Sequence, residues 1–567
     1  MFVFDDSPIN PFNEHIQLKF PVPGAVDRHR RTFTTSRYTA GMVADLPIKG
    51  WRGTAEMTFG STRAHLLQET TDILANLIVP PFGPDINPLG NWDEFQREIV
   101  FDTVWLEREA RARNRYRETS VRLAGPLVEA GGGPVTLTLL AERRSERVPA
   151  FTTSNRQRSE AGSTVTETEA GARSNRTTSF YGELRAPIFG DDAPLSVLRG
   201  LEVQLAVRRD RLRAAFDRDP FAPEPGETAR HDFRGTSYTI GAKLLPAPWL
   251  MVRASYATGQ QAPPLELLVG REEVPTFLAA YDPKRWDANV GSEAPFLRKY
   301  EGSPEVKEAR ANTLSLGAVL NPSGRPGPRV SVEYSRIRKL RAALPLSAQL
   351  VLDHEEVWPE RVTRAPLTDE DRARGYSGGV ITMLDERAMN GGGAKVDSID
   401  ARIDWPMPVA GGELRLYGAA TLQMGNKQRR LFEPDLEQAG YRTGPLKWRA
   451  NGGADWSIGA TTLGANVQFF SRYRIVDSLF AAADTTTPAF QGSGWVRSQT
   501  YVDLHASRRF ELRNAGPLHG LEVNFGIINL FDKAPPRETG YPVSAPGYSR
   551  YGDPRGRRFE LVLSSEF

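Results

Sequence analysis

The sequence predicts an all-β fold, an antiparallel transmembrane β-barrel. Apolar and polar residues alternate along runs of about eight to ten residues, the length of a tilted strand that crosses a bilayer. Short turns and long polar connections also alternate along the chain. No stretch of 18 consecutive apolar residues is present, which excludes a helical span. A mean hydropathy of −0.43 is compatible with a barrel, because only every second residue of a membrane strand faces lipid.

The alternation is clearest in the second half of the chain. Along 413–422, Leu414, Leu416 and Leu422 fall on one side, and Arg415 falls on the other. The same period of two recurs at 201–208, 398–405, 448–458 and 463–469. This period is typical of strands with one apolar and one polar face. A soluble sandwich or jelly roll gives the same alternation and remains the less favoured alternative.

The connections favour the membrane barrel. Short turns rich in Pro and Gly are predicted at 46–51, 245–249, 321–327, 406–412 and 457–460. Long polar loops are predicted at 61–115, 143–177, 209–233, 258–308, 338–394, 424–445, 471–496 and 532–555. Loops longer than about 15 residues are uncommon in compact soluble domains. Short turns at one end and long loops at the other are typical of outer-membrane barrels.

We expect about 17 strands, the first beginning near Tyr38 and the last ending at Phe567. Residues 1–37 are predicted to be the remnant of an outer loop with a short hairpin near His15–Phe20, and residues 38–567 to be the barrel. Five tryptophans lie close to predicted strand ends, where an aromatic girdle is expected: Trp51, Trp249, Trp405, Trp448 and Trp456. Ordinary strand aromatics are the alternative for any one of them.

Composition and motifs argue against several other functions. The chain has 72 basic and 69 acidic residues, a formal charge of +3, so no bulk field indicates a nucleic-acid partner. The absence of Cys excludes disulfides and thiolate chemistry. Gly375–Gly379 matches the G-x-S-x-G nucleophile pattern, but it follows a charged loop rather than a strand. The seven His residues lack the paired spacing of metal ligands. No catalytic residue, cofactor or metal site is predicted.

The end of the chain carries the most specific motif. An Asn529-Leu-Phe-Asp-Lys533 turn is followed by Gly556-Arg and a final strand, in which Phe559, Leu561, Leu563 and Phe567 share one face. This arrangement resembles the last two strands of TonB-dependent receptors. The segment 249–263 resembles a strand of that family that rises into an outer loop, with Gly259-Gln-Gln-Ala-Pro263 where the family usually has Gly-Phe-Arg-Ala-Pro. Asn10–Asn13 with the residues that follow resembles an outer-loop hairpin of the larger receptors.

The resemblance implies a barrel in the outer membrane of a Gram-negative bacterium, surrounded by outer-membrane lipid. It implies that Phe559, Leu561, Leu563 and Phe567 form the signal read by the barrel-assembly machinery. It also implies coupling to the TonB complex through a plug domain, for uptake of siderophore-bound iron, haem, cobalamin, or glycan or peptide cargo. The cargo and the ligand-binding residues remain unknown.

Family barrels have about 22 strands, so we expect a truncated copy without the plug and the first strands, and a gapped wall. A passive porin-like or structural barrel is the alternative function. Aromatic residues in the long loops are candidates for ligand contact, with packing inside folded loops as the alternative: Phe277, Tyr281, Trp286, Tyr300, Trp358 and Phe432.

Overall fold

The chain folds into long antiparallel strands joined by loops that carry short helices and strands. The computed structural model describes residues 2–3, 11, 16–17, 27–73, 103–159, 162–190, 193–217, 228–275, 277–286, 290–291, 294–321, 327–511, 520–539 and 547–566. No helix in this described part is long and apolar enough to cross a membrane. Strands dominate because the alternating pattern rich in Val, Leu, Thr and aromatic residues favours a pleated, half-buried conformation.

The first strands are β1 (Phe2–Val3), β2 (Ile16–Gln17), β3 (Asp27–Asp45), β4 (Arg52–Ile73), β5 (Thr103–Ala130), β6 (Gly133–Val148), β7 (Phe151–Ser159), β8 (Gly162–Ala170), β9 (Arg173–Pro187), β10 (Glu202–Asp217), β11 (Thr228–Ala247) and β12 (Leu250–Gln261). The middle strands are β13 (Gly270–Glu273), β14 (Leu297–Glu301), β15 (Ala309–Leu320), β16 (Arg329–Leu344), β17 (Val362–Arg364), β18 (Ile381–Asp385), β19 (Met389–Val409) and β20 (Gly412–Arg429). The last strands are β21 (Leu436–Glu437), β22 (Trp448–Ile458), β23 (Thr461–Phe470), β24 (Tyr473–Arg474), β25 (Trp495–Val496), β26 (Gln499–Glu511), β27 (Gly520–Ile528), β28 (Arg537–Glu538), β29 (Gly547–Tyr548) and β30 (Arg558–Glu566).

Helices occur only in the connections of the described chain. They are α1 (Ala348–Asp353), α2 (Asp369–Ala373) and α3 (Thr486–Gln491), with 3₁₀ turns at Ser196–Leu198, Leu265–Leu267, Pro359–Arg361 and Ser478–Phe480.

Among the described residues, seventeen strands form the barrel wall as one antiparallel meander. In order of pairing they are β3, β4, β5, β6, β9, β10, β11, β12, β15, β16, β19, β20, β22, β23, β26, β27 and β30. The predicted all-β barrel fold and its strand number are confirmed. The first wall strand starts at Asp27, so the predicted boundary between residues 37 and 38 falls inside β3. The predicted hairpin near His15–Phe20 is partly described, and there β2 pairs with β1.

Short and long connections alternate as predicted, but two loops are much shorter than expected. β4 continues to Ile73 and β5 begins at Thr103, so only the middle of 61–115 is a connection. Most of 143–177 is also strand, because the hairpin β7–β8 fills it. These strand ends lack an apolar face, so their sequence alternates without the hydrophobic signal on which strand prediction depends.

Each wall strand has one apolar and one polar face. The register aligns Leu416, Ala454, Ala465, Leu504, Ile527 and Phe559 across six neighbouring strands. The residues one position away include Arg415, whose Nη2 lies 2.7 Å from Asp404 Oδ2 on the neighbouring strand. Leu265 and Leu268 of a long loop pack against Phe216 and Phe233, which belong to the polar-face register. The polar face is therefore the interior, and the apolar face points outward.

The two outermost strands each have one paired edge. β3 pairs with β4, β30 pairs with β27, and no register pair within the described residues joins β3 to β30. An antiparallel meander with an odd number of strands has its first and last strands in the same direction, so pairing them directly would require a parallel ladder. Both strands are exposed along most of their length, as at Tyr38 (73%) and Leu561 (64%). These edges are what a gapped wall requires, and the gap itself remains a prediction.

Candidate ligand site at the barrel mouth

A cavity of about 760 Å³ lies at the long-loop end of the wall. Its inner wall comes from β3, β4, β5 and the hairpin β7–β8, and its cover comes from the loop between β12 and β15. The volume falls within the usual range for small-molecule sites. The cavity therefore lies among the long loops, at one end of the wall strands.

The side chains of the inner wall come from the interior face of the strands. Arg31 pairs in register with Leu66, which pairs with Ala110, and Ala110 pairs with Thr153 of the hairpin. All four residues line the cavity. Beyond the point where β6 stops pairing with β5, the hairpin β7–β8 pairs with β5 instead. The wall therefore extends further toward the long loops at this position.

The lining is cationic over an apolar floor. His29, Arg31, Arg108, Arg173 and Arg271 contribute basic groups, and Glu301 contributes the one acid among the described lining residues. Glu301 Oε2 lies 3.2 Å from Arg271 Nε, so part of that charge is neutralised. Leu66, Phe151, Phe216 and Val269 supply the apolar surface. Arginine binds carboxylate and phosphate groups in a bidentate manner, so the cavity suits an anionic molecule with an apolar part.

The cover belongs to a folded unit that we call the outer-loop cluster, formed by residues 262–308 and 345–388. Four short strands from both segments form one sheet in the order β13-β14-β18-β17. α1 packs on a core that includes Phe296, Val351 and Leu384, each at most 2% exposed. Two loops that are far apart in sequence therefore fold as one body, which holds the cover in place.

Buried ion pairs join the two segments of the outer-loop cluster. Arg364 contacts Asp282 at 2.8 Å and Glu355 at 2.7 Å, and Lys284 lies 2.8 Å from Glu355. The Arg364 side chain is 10% exposed and that of Asp282 is 3% exposed. Burial alone raises the pKa of Glu355, but Arg364 and Lys284 outweigh that effect and hold the pKa below its usual value.

A second pair fixes α2 against the loop that precedes β14. Arg285 Nη1 donates to Asp371 Oδ1 at 2.8 Å. The backbone N–H of Thr368 and the Arg285 guanidinium lower the pKa of Asp371 to about 2. Asp371 is therefore ionised at neutral pH, where it pairs with Arg285.

Two aromatic residues of the outer loops have left-handed backbones. Trp286 has φ 53° and Phe432 has φ 60°, and both are exposed, at 63% and 47%. Such conformations cost free energy in residues with a Cβ and are enriched at functional sites. Phe432 stacks on His354 with ring centroids 3.8 Å apart, and Trp286 meets Tyr376 edge to face. Neither aromatic residue lines the cavity, and ligand contact by either one stays a prediction.

Loops between the last wall strands form a second packed unit. Tyr473 is fully buried, and its hydroxyl donates to Glu538 and lies 2.8 Å from Ser549 Oγ. The turn motif Asn529–Lys533 is positioned below this unit. The Asn529 side chain bonds the backbone of Lys533 in both directions, and Asp532 Oδ1 accepts from the Arg557 N–H at 2.7 Å.

The structure shows where the sequence-predicted residues lie. Phe559, Leu561 and Leu563 share the outward face of β30 and are between 62% and 68% exposed, while Phe567 lies outside the described residues. Ser377 sits between α2 and β18, an order of helix, turn and strand that differs from the nucleophile elbow. Among the described residues, no group of three or more His, Asp or Glu side chains is arranged to hold a metal ion.

The cavity was not predicted from the sequence. Arg108 fell inside a predicted loop, and Arg31 fell before the predicted first strand. The available signal was the alternation of Arg with other residues along 111–117, which matches a strand with its arginines on one face, opposite to the face of Arg108. Sequence alone gives no register, so it could not bring Arg31 and Arg108 to one cavity.

Comparisons with known proteins agree with this architecture. A family model described as TonB dependent receptor-like, beta-barrel, matches residues 20–530. No curated protein sequence matched the chain.

Solved structures resemble the fold at low sequence identity. FpvAI in complex with a pyocin has 13% identity and a TM-score of 0.52 over 93% of this chain and 56% of its own. FpvA of P. aeruginosa bound to a pyoverdine–iron complex has 14% identity and a TM-score of 0.51 over 93% and 55%. The ferric-catecholate import receptor Fiu of E. coli has 11% identity and a TM-score of 0.50 over 94% and 62%.

This chain spans between 55% and 62% of the length of these three structures. The family match covers most of the wall strands and the loops that close the cavity. The chain belongs to the TonB-dependent receptor-like β-barrel family.

Proposed function

We propose that this chain forms the wall and the outer ligand site of an outer-membrane receptor that takes up a scarce nutrient by TonB-dependent transport. The observation that carries the proposal is the cationic cavity closed by the outer-loop cluster. An energy-coupled receptor must capture dilute cargo from outside, and an enclosed site with convergent charges provides the affinity for this. Family members are outer-membrane proteins of Gram-negative bacteria, which supports the same location for this chain. The proposal describes a transporter and assigns no catalytic residue.

The cavity favours anionic cargo. Three arginines besides Arg271 line the cavity together with one acid, and the apolar floor suits an aromatic or aliphatic part of the ligand. Ferric siderophores with acidic groups, haem with its propionates and acidic peptides all have this chemistry. A neutral glycan fits the lining less well, because the desolvated guanidinium groups would lack partners.

Binding can be measured by quenching of tryptophan fluorescence with a ferric catecholate siderophore, haem, cyanocobalamin and an acidic peptide as probes. The double variant Arg31→Gln and Arg108→Gln should weaken binding of the anionic probes at least tenfold, or about 1.4 kcal/mol. Arg338→Gln, on the outward face of β16, is the matched control and should leave binding unchanged. Equal affinity of the double variant and the wild type for every probe that binds would overturn the cavity as the cargo site.

The passive porin-like or structural barrel is the second candidate; a pore would need a closed wall, whereas β3 and β30 each have one paired edge among the described residues. Transport separates the two functions. Uptake that stops in a host without TonB supports the receptor, whereas equal uptake with and without TonB supports a pore. Coupling in the family acts through a plug domain, so a reading frame for a plug in the DNA upstream of Met1 would support the receptor independently.

A further inference from the structure

A group of arginines lies on the outward face of β5, β6, β9, β10 and β11, at the end of the strands that leads to the long loops. Four register rows of the outward face cross these strands, and arginine occupies ten of their positions. They are Arg209 in the first row, Arg143, Arg211 and Arg234 in the second, Arg117, Arg176 and Arg213 in the third, and Arg115, Arg147 and Arg230 in the fourth. We call these ten residues the basic sector.

The basic sector begins where the apolar band ends. The row next to Arg209 on the other side consists of Leu123, Leu139, Gly182, Val207 and Tyr238. Rows on one face of a sheet are about 6.6 Å apart. The row of Arg209 still contains Val121, Ala141 and Phe180, and the following row contains three arginines, so the change from apolar to cationic takes place over two rows. Phe180 and Tyr238 lie at this boundary and are more than half exposed, as aromatic residues at a lipid–water interface are.

The charges of the basic sector are largely unmatched. Asp232 is the one acid among the outward positions of the four rows, and it contacts Arg211 and, at 3.5 Å, Arg234. No ion pair among the described residues reaches Arg143, Arg176 or Arg209. Arg143, Arg176, Arg209, Arg211, Arg213 and Arg234 surround an open cleft of about 390 Å³. A surface of this kind repels itself unless an anionic partner covers it.

We infer that the basic sector binds the phosphate groups of a phosphorylated glycolipid in the outer leaflet. The inference rests on the proposed function only through the location in the outer membrane. The position next to the apolar band places the guanidinium groups at headgroup level, where a lipid with two or more phosphates can contact several of them at once. Each guanidinium can hold a phosphate through two parallel hydrogen bonds. A free anion would contact one or two arginines and gain less.

The sector is local to one side of the barrel. On the outward face of β16 and β19, Arg336 and Lys395 lie within 3.3 Å of Asp397, so both cations there have an acidic partner within the protein. Arg310 and Arg338 flank that region, and Arg508 lies on the outward face of β26 close to the turn that joins β26 to β27. These three arginines lie outside the basic sector and provide a control of equal charge.

The test uses the full chain purified in a neutral detergent, with bis-phosphorylated lipid A in mixed micelles as the probe. The wild type should bind this lipid at least tenfold more tightly than the same lipid without its phosphates. The triple variant Arg143→Gln, Arg176→Gln and Arg209→Gln should lose at least tenfold in affinity, and the control triple Arg310→Gln, Arg338→Gln and Arg508→Gln should stay within twofold. Heat-modifiable migration of each variant verifies that the barrel is folded.

Three outcomes overturn the inference: equal losses in both triple variants, no preference for the phosphorylated lipid, and complete displacement by inorganic phosphate at millimolar concentration, which would show a free-anion site. The fluorescence measurement with anionic cargo probes is made on the same samples. Loss of lipid binding with intact cargo binding removes only this inference, whereas intact lipid binding without cargo binding removes only the cargo site of the proposed receptor.

Discussion

The two faces of strands β5, β6, β9, β10 and β11 differ in how their basic side chains are paired with acids. Over the same four rows, the interior face carries Arg122, Arg144 and Arg208 against Glu118, Glu142, Glu146 and Asp210. The outward face carries ten arginines and Asp232. Arg144 and Arg208 are bonded to Glu146 and Asp210 of their own strands, so the interior neutralises itself. The interior charges are therefore compensated largely within the protein, whereas most of the outward charges are not.

The outward face has two ends, because no register pair within the described residues joins β3 to β30. Cross-linking tests whether these two strands are separate. The chain has no Cys, so engineered pairs report without background. Cysteines at Val523 and Leu563, register partners on β27 and β30, should cross-link almost completely, because partner Cα atoms lie within disulfide range. Cysteines at Ala40 and Leu561, on the two outermost strands, should not cross-link. Equal cross-linking of both pairs on a denaturing gel would show a closed wall.

The outward apolar row of β30 should matter more for assembly than any loop aromatic. Deleting Phe567 should remove most heat-modifiable protein from the outer membrane, because in the resembled family the assembly machinery reads the last strand. Trp286→Ala, in an exposed loop, should leave the amount close to that of the wild type. Normal levels after deletion of Phe567 would contradict an assembly role for this residue.

The ion pairs of Arg364 in the outer-loop cluster are buried. Arg364→Met should destabilise the cluster by about 3–5 kcal/mol, because Asp282 and Glu355 would be left buried without their partner. The exposed pair of Arg372 with Asp369 provides the control, and Arg372→Met should cost less than about 1 kcal/mol. Amide hydrogen exchange around residues 281–286 and 362–364 measures both. Similar protection in the two variants would show that the buried pairs do not hold the cluster together.

The apolar band can be tested on a single strand of the second half. Arg in place of Ala454, in the middle of the outward row, should destabilise the barrel by ~2–4 kcal/mol in lipid. Arg in place of Asn451, on the interior face, should cost much less. Unfolding in urea from lipid vesicles gives both free energies. A larger cost at Asn451 would reverse the two faces.

The smallest expected effect is the difference in stability between substitutions at two adjacent residues of β10. Arg208→Gln removes the interior partner of Asp210 and should cost about 1 kcal/mol. Arg209→Gln, in the basic sector, should be close to neutral in neutral detergent, since no ion pair to a described residue is lost. Thermal unfolding in that detergent compares them. A larger loss for Arg209→Gln would mean that the basic sector stabilises the wall itself.

The sequence predicted the strands that have an apolar face better than the strand ends that lack one. The strands with Leu, Ala and Trp on one face, such as 413–422 and 448–458, were predicted with their orientation. The extended ends of β4, β5 and β10 were predicted as loops, because beyond the lipid the outward residues are arginine and the alternation lost its apolar member. Four arginines of the basic sector (Arg115, Arg209, Arg211 and Arg213) and the cavity residues of β4 and β5 lie in these extensions, so a search for apolar alternation did not find them.

The sequence by itself determined the barrel class, the alternation of short and long connections, the number of strands and the two faces of the apolar band. These properties follow from local period and composition, because lipid accepts only strands whose backbone groups are paired and whose outward residues are apolar. The tertiary structure decided which charges come together: Arg31 with Arg108, Arg364 with Asp282, and the ten arginines of the basic sector. Such groupings depend on register and on the folding of distant loops against each other, and a shift of one residue in the register of a wall strand would move its side chains to the opposite face.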